Sequence, residues 1–562
     1  MILRSQRTPD TVFTSLPLTG RLFSTRRRKW ISATNSYNFF MNDLINDWIK
    51  KHGSIPVNEQ LFMKALSKQG NSFEEFVVRD LSNKIGKSIP TVSTIINSHT
   101  VKETIRLMTE GTPIIHSAPL RDTETKTQGI ADLLVRSDCF HQFFKQSIPR
   151  TERYHANNLS HSFYYVVIDI KFRTFKLQTD KETPYKSPSI AAFRDQLFTY
   201  TSLVGKIQGY TPSFAFLLGR QYDYTINGVK YRDTCYDERL AKIIFTPETE
   251  EDNKSAREWL RKVSSSTVSL SSIYPNMSNT MSHYPDVKKR IARELGEITQ
   301  IWQCGVPHRQ RMLDIGVHSL YDPRCTATSL GFTGKRAECI QQIIDINHPS
   351  STHLILPEKL SLVSYPNEFY IDFELIPESL RDTFDSKYCN RREHLFLIGI
   401  GWDEQGTWNY KGFVAKNKSS RAEKQLVTDV IAFLPPDATI YHWSHIERTS
   451  WNKISNRHHI NTCNYNWVDM AKIFTDTPIA IKGCYNYKLK NISSAMQRHG
   501  MIESTWPKGI MNGVDCAAVA HILYETRDVD IHDSKEMDQI IRYNEVDCKV
   551  LWEIMSYLQS RV

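Results

Sequence analysis

The sequence predicts a multidomain α/β chain, with two α/β units joined by a helical connector. Three observations carry this reading. The chain has 562 residues, too many for one hydrophobic core, so about three or four domains are expected. Hydrophobic content of 40% and aromatic content of 11% belong to folded globular domains. Apolar, β-branched stretches alternate with segments of helical periodicity, and three of the strand-like stretches carry acids in their interiors.

Residues 1–29 form a basic N-terminal tail, with Arg4, Arg7, Arg21, Arg26, Arg27, Arg28 and Lys29 against the single acid Asp10. It reads as a solvated arm, with an organelle transit peptide and a nucleic-acid-binding or nuclear-import tail as alternatives. It lacks an apolar h-region, so no secretory signal is expected, and no apolar run approaches the ~20 residues of a membrane span. The expected setting is intracellular, cytoplasm or nucleus, without a membrane partner. A net charge of +10 hints at a polyanionic partner. The ten cysteines are scattered without a Cys-x-x-Cys pair, which argues against a zinc ribbon and for reduced thiols.

The first unit is expected over 30–250. Tyr37 to Trp48 has helical spacing and stops at Gly53; Phe73 to Ile85 repeats the pattern and stops at Gly86. Thr112–His116, Gly129–Val135 and 164–172 read as strands. After a polar connection (176–188) comes a helix, Ile190–Val204, then strands Pro212–Leu218 and Leu240–Phe245. A helical connector is expected over 251–350. It contains a Ser-rich linker, a helix Asp286–Cys304, and helical pieces broken by Gly316, Pro323, Gly331 and Gly334. Those pieces resemble helix–hairpin–helix modules, whose turn amides grip phosphate, and a plain helical spacer explains them equally. The second unit is expected over 366–562. Its strands are Glu368–Leu375, Leu395–Trp402, Thr407–Val414 and Ala438–Trp443. Its helices are Arg421–Leu434, Asp515–Tyr524 and a long amphipathic Ser534–Leu558, capped by Asp533 or Ser534.

In the strand Tyr164–Phe172, Asp169 and Lys171 lie two apart and so on one face. Buried charges must be paired or hold a metal; alone, this pair reads as an ion pair on an edge strand. Its company changes that. Asp132 is another acid in an apolar strand, behind Gly129. Glu74 lies on the early helix, with Glu75 as the alternative. Gln196 and Tyr200 are four apart and share a helical face. Phosphodiester hydrolysis needs carboxylates for a hard divalent ion and a cation near the developing negative charge. Gly-x-x-Asp, Asp-x-Lys and Gln-x-x-x-Tyr in this order resemble the PD-(D/E)XK nucleases, within them the RecB-like branch, with a restriction-endonuclease-like core. The resemblance implies Asp132 and Asp169 as metal ligands and Lys171 as the catalytic lysine. Glu74 would help shape the metal site, with Gln196 and Tyr200 contacting substrate or bracing the site. Some relatives carry an iron–sulfur cluster, with three closely spaced cysteines after the core. Here Cys235 alone falls between Tyr200 and Cys304, so no such cluster is expected.

In the later unit Asp372 and Glu374 share a strand face, and Tyr543 and Asp547 share a helical face. Asp-x-Glu on a first strand and Tyr-x-x-x-Asp on a last helix resemble the DEDD 3′–5′ exonucleases of the ribonuclease H-like fold. The resemblance implies four acids holding two divalent ions, with the tyrosine positioning the attacking water. The fourth acid falls at Glu447 where the family has Asp; Asp469 is the substitute. His442 and His445 read as structural histidines, and Trp443, Trp451 and Trp467 as core. Lys482–Lys490 interleaves basic and aromatic residues, as a single-strand path or a solvated strand edge.

The whole arrangement, covering roughly 35–560, resembles predicted fused nucleases of bacteria and giant DNA viruses; a viral origin would place the protein in the host cell. It implies a Mg²⁺- or Mn²⁺-dependent nuclease acting on DNA rather than RNA in repair, recombination or replication, with a helicase or replication factor as a possible partner. The alternatives are an RNA-processing nuclease and a nucleic-acid-binding scaffold with one or both sites silent.

Overall fold

The computed structural model describes residues 29–52, 61–146, 148, 155–265, 268–270, 273–357, 362–388, 392–506, 512–526, 531 and 534–561. The basic arm before Lys29, the stop at Gly53 and the cap alternative Asp533 lie outside the described residues. The chain divides into two compact units. One comprises Met1–Asn58, Leu66–Ile291 and Asp382–Asn390; the other comprises Glu59–Ala65, Ala292–Arg381 and Arg391–Val562.

The first unit is built on a seven-stranded sheet. Its strands are β1 (Ile31–Ser32), β2 (Ile114–Asp122), β3 (Thr127–Arg136), β4 (Tyr165–Leu177), β5 (Phe214–Ile226), β6 (Val229–Asp233) and β7 (Ala241–Ile244). The main path runs β1-β3-β4-β5-β6, with β2 on β3 and β7 on β5. β4 is the central strand, buried from Tyr165 through Ile170. It is antiparallel to β3 and parallel to β5. A parallel neighbour needs a crossover, and the helix Pro188–Gln208 supplies it, its first turn capped by the Ser187 hydroxyl accepting from the Ile190 amide at 3.2 Å.

Two expectations for this unit are corrected. The Tyr37–Trp48 helix is two pieces, Tyr37–Phe40 and Ile45–His52. Asn42 turns the chain with φ +50°. That turn delivers Asp43 into the interior, where Lys288 Nζ (2.5 Å), Asn46 Nδ2 (2.8 Å) and Asn279 Nδ2 (2.8 Å) bind its carboxylate. The strand expected to end at Leu218 runs on to Ile226 and hairpins into β6. Asn227 and Gly228, both at positive φ, are the residue pair a two-residue hairpin uses.

The second unit holds a five-stranded sheet formed by β9 (Glu368–Ile376), β10 (His394–Glu404), β11 (Thr407–Val414), β12 (Thr439–His442) and β13 (Asn466–Asp469). A small pair, β8 (Ile355–Leu356) with β14 (Ala480–Ile481), stands apart. The order is β11-β10-β9-β12-β13: β9, β10 and β11 meander antiparallel, then β12 and β13 add in parallel. The helix Lys535–Gln559 packs on β9 and β10, and the Ser534 hydroxyl caps it at the Met537 amide (3.0 Å).

The helix expected over Asp286–Cys304 spans Pro285–Leu295 and stops at Gly296, whose φ is +62°. Beyond it come Val306–Asp314, Ala327–Leu330 and Gly334–Asn347. Ile298, Met312, Leu330 and Ile344 from this stretch share one apolar core with Tyr441, Met496 and Ile554. Among the described residues no helix is long and apolar enough to cross a membrane, and nine cysteines are free thiols.

Candidate active sites

In the first unit the predicted residues converge where β3 and β4 part. The strands pair up to Leu133↔Ile168. At the next step Asp132 turns its Oδ2 onto the Ile170 amide at 2.7 Å, so a carboxylate takes the place of a ladder bond. Asp169 is fully buried. Its Oδ2 lies 2.6 Å from Lys171 Nζ, and its Oδ1 accepts from Gln196 Nε2 at 3.2 Å. Gln196 lies 2.9 Å from the Tyr200 hydroxyl, so the helix pair and the strand pair form one network. Burial first, then the Asp169 charge, raises the Asp132 pKa well above the usual carboxylate range. For Lys171, burial opposes the charge, and the facing Asp169 and Asp132 outweigh it and hold the ammonium above its ordinary range.

Glu74 Oε1 contacts His116 Nε2 at 2.9 Å and adds to the negative field on Asp132. Glu75 is exposed on the other face of its helix. The glycine of Gly-x-x-Asp has a steric reason. A Cβ on Gly129 would stand 2.3 Å from Tyr200 Cε1, well inside any tolerated contact, so only glycine lets the tyrosine ring cross β3. A cavity of about 320 Å³ opens beside Lys171 and Gln196, lined also by Tyr37 and Phe193.

In the second unit, one oxygen from each of Asp372, Glu374 and Asp547 lies within 4.8 Å of the other two. β9 presents the first two, and the helix Lys535–Gln559 presents Asp547 with Tyr543 one turn before it. Burial and mutual repulsion push Asp372 and Glu374 well above their ordinary pKa values. Asp547 is pushed up to about 7, chiefly by burial, with Lys490 pulling it back. Tyr543 is buried, and that burial together with the acids around it keeps its hydroxyl protonated.

Glu447 stands in the first turn of the helix Ile446–His458. It lies outside the tight trio but acts electrostatically on all three members. Its buried Oε2 has no hydrogen-bond donor and lies 3.4 Å from an equally undonated His442 Nδ1. Asp469 is spent elsewhere. Its Oδ1 accepts from the amides of Ser444 (2.8 Å) and Ala471 (3.0 Å). It thereby caps the helix Met470–Asp476 and fixes the turn that leads into Glu447. The fit to a hard divalent ion follows from the donor set: clustered carboxylate oxygens, mutually repelling, with a buried oxygen lacking a donor. Among the described residues one other tight group occurs, Cys235, Asp237 and Glu238, and its carboxylates are already paired with Lys84, Lys387 and Lys145.

Three participants escaped sequence reasoning. Asn544 Nδ2 donates to Asp372 Oδ2 at 2.7 Å, and its Oδ1 accepts from the Tyr410 hydroxyl at 2.9 Å. Gly399 lies opposite Asp372 in the ladder, and a Cβ there would fall 1.6 Å from Asn544 Oδ1. Lys490, noted only as the end of a basic stretch, sits 4.4 Å from the centre of the Tyr543 ring and 5.3 Å from that of Trp506. The available signal was its place two residues after Lys488 at the start of a helix, too weak to single it out. Trp443 and Trp451 are structural: Trp443 Nε1 donates to the Tyr487 carbonyl (3.0 Å), and Trp451 is buried.

A family model of the RNase H superfamily matches residues 389–559. That span holds Glu447, Tyr543 and Asp547. Asp372 and Glu374 lie just ahead of it on β9, which pairs with β10 and β12 at the middle of the same sheet. The second unit therefore carries an RNase H-like domain. No curated protein matches the chain.

Proposed function

We propose that the protein is a metal-dependent nuclease with two hydrolytic sites, a RecB-like one in the first unit and a 3′–5′ exonuclease in the second. The observation that carries it is the trio Asp372, Glu374 and Asp547, whose oxygens approach within 4.8 Å in a buried setting. Such a cluster is costly unless a cation neutralises it.

A divalent ion held by the acids, Mg²⁺ or Mn²⁺, supplies charge neutralisation and polarises a phosphodiester. The residues do the rest. Asn544 fixes the orientation of Asp372. Tyr543, protonated and one helical turn from Asp547, orients the attacking water. Lys490 adds positive charge at the edge of the acids, where negative charge develops on the phosphate. In the first unit Asp132 and Asp169 are the ligands, with Lys171 held charged beside them and Gln196 and Tyr200 bracing the carboxylate. DNA is the substrate the family resemblance implies, and repair, recombination or replication is the setting, with a helicase or replication factor as candidate partner inside the cell.

The test uses end-labelled single- and double-stranded DNA and RNA with Mn²⁺. Asp169→Ala and Asp372→Ala should each remove one cleavage pattern, and the double variant both. Cleavage surviving in the double variant sinks the assignment. Tight binding without cleavage by the wild type would instead make the protein a nucleic-acid-binding scaffold, and cleavage confined to RNA would make it an RNA-processing enzyme.

A further inference from the structure

The cavity beside Lys171 has a composition that catalysis by the acids does not use. Two of its lining side chains, Lys171 and Gln196, touch Asp169, so it opens directly off the first site. Its other notable lining is aromatic: Tyr37, 36% exposed, and the half-buried Phe193. Lys171 Nζ lies 5.4 Å and the Arg173 guanidinium 5.5 Å from the Phe193 ring centre. Arg173 is itself exposed. An apolar face flanked by cations, next to a hydrolytic centre, suits a base with its phosphate.

The rim is rigid. Tyr37 opens the short helix Tyr37–Phe40, and Phe40 packs on Ala192 of the Pro188–Gln208 helix. Its neighbour Ser36 donates to Asp195 Oδ2 at 2.5 Å, and Asn253 Nδ2 holds the other oxygen of that buried carboxylate at 2.7 Å. The turn at Asn42 that broke the expected helix ends this short segment and leaves Tyr37 at the mouth.

We infer that this cavity takes one unstacked nucleobase of a single-stranded nucleic acid next to the bond cut at the first site, with Tyr37 and Phe193 as its aromatic walls and Arg173 on the adjoining phosphate. The inference rests on the nuclease reading of that site and names its substrate class. Its volume, about 320 Å³, is at the small end of ligand pockets and is ample for one base. A base within a duplex is stacked on both faces and must leave the stack to enter. Stacking reads no base edge, so the preference is for single strands without sequence specificity.

The experiment uses the full-length protein in Ca²⁺, so that binding is read apart from cleavage. A single-stranded oligonucleotide carrying 5-iododeoxyuridine is irradiated on the protein, and the crosslinked peptide is mapped by mass spectrometry. The expected adduct is on Tyr37 or Phe193. Tyr37→Ala should weaken single-strand binding about fivefold or more, Tyr37→Phe should retain it, and Phe193→Leu, which keeps the packing volume, should lose the adduct at that position. Thymidine monophosphate that displaced the strand at equimolar concentration, and so bound as tightly as the oligonucleotide, would make the occupant a free nucleotide and overturn the strand assignment. Adducts only elsewhere, with Tyr37→Ala binding like wild type, would also overturn it. The two readings separate, because Asp169→Ala cleavage in Mn²⁺ is scored independently. Lost cleavage without the adduct removes the pocket alone. An adduct with unchanged cleavage removes the catalytic assignment alone.

Discussion

Asp547 shows what the acid cluster costs the fold. Its pKa lies near 7 against an ordinary 3.8. Between those values the unfolded chain has released the proton and the folded chain still holds it, so stability falls as pH rises through this window. Below the window the penalty is absent; above about pH 7 it is complete, and worth about 1–4 kcal/mol. Without divalent metal, Asp547→Asn should therefore melt higher than the wild type at pH 8, with the difference shrinking as pH falls and closing only near the ordinary value of 3.8. Mn²⁺ should raise the melting temperature of the second unit in the wild type and do so much less in the variant. Lys490 acts with the opposite sign, since it draws the same acids down. Lys490→Gln should melt lower than wild type in metal-free buffer at pH 8, and adding Asp547→Asn should recover part of the loss. Strict additivity of the two changes in calorimetry would show that the lysine does not feel the carboxylate. The acids were legible in the sequence because a charge inside an apolar strand stands out. Lys490 and Asn544 were not, because a lysine and an asparagine near helix surfaces are ordinary until the fold turns them inward.

At the scale of elements, both candidate sites depend on a glycine that lets a helix side chain cross a strand. Gly129 admits the Tyr200 ring over β3, and Gly399 admits Asn544 over β10. Alanine at either place puts a methyl inside its partner, an overpacking worth about 1–3 kcal/mol. Gly129→Ala should thus lower both the stability of the first unit and its cleavage. Shrinking the partner tests the cause: Gly129→Ala with Tyr200→Ala should be more stable than the sum of the single changes allows. A Gly129→Ala protein indistinguishable from wild type in melting and cleavage would remove the steric account. The strand and helix that carry each motif were readable from periodicity, because alternation and 3.6-residue spacing are local properties. The break at Asn42 was not, because its cause lies in Asp43 meeting Lys288 and Asn279 far along the chain. The β5–β6 hairpin was not read either: Asn227-Gly228 is a turn-forming pair, but exposed β6 offers no apolar alternation to mark a strand.

At the scale of the whole molecule, sequence order and compact units do not coincide. Asp382–Asn390 falls between β9 and β10 in sequence yet belongs to the first unit. It brings Phe384 into that unit's core and Asp382 to Arg220, Nε to Oδ2 at 2.5 Å, both side chains 4% exposed. The guanidinium also donates to the Lys387 carbonyl at 3.2 Å and lies among the rings of Phe73, Phe76 and Phe384. Removing one partner of such a pair strands a buried charge and costs about 3–5 kcal/mol, and losing Phe384 adds about 3–5 kcal/mol more if its site cannot collapse. Against the ~5–15 kcal/mol that holds an ordinary domain together, that loss is decisive. A fragment ending at Ile291 retains every acid of the first site but lacks this plug. It should therefore lack a cooperative melting transition and be cut rapidly by protease, while the full chain resists. Arg220→Met in the fragment removes the orphaned charge and should restore part of the protection. A fragment that melts cooperatively near the full-length temperature would show that the 382–390 segment is dispensable, and that the first unit ends where its sequence does.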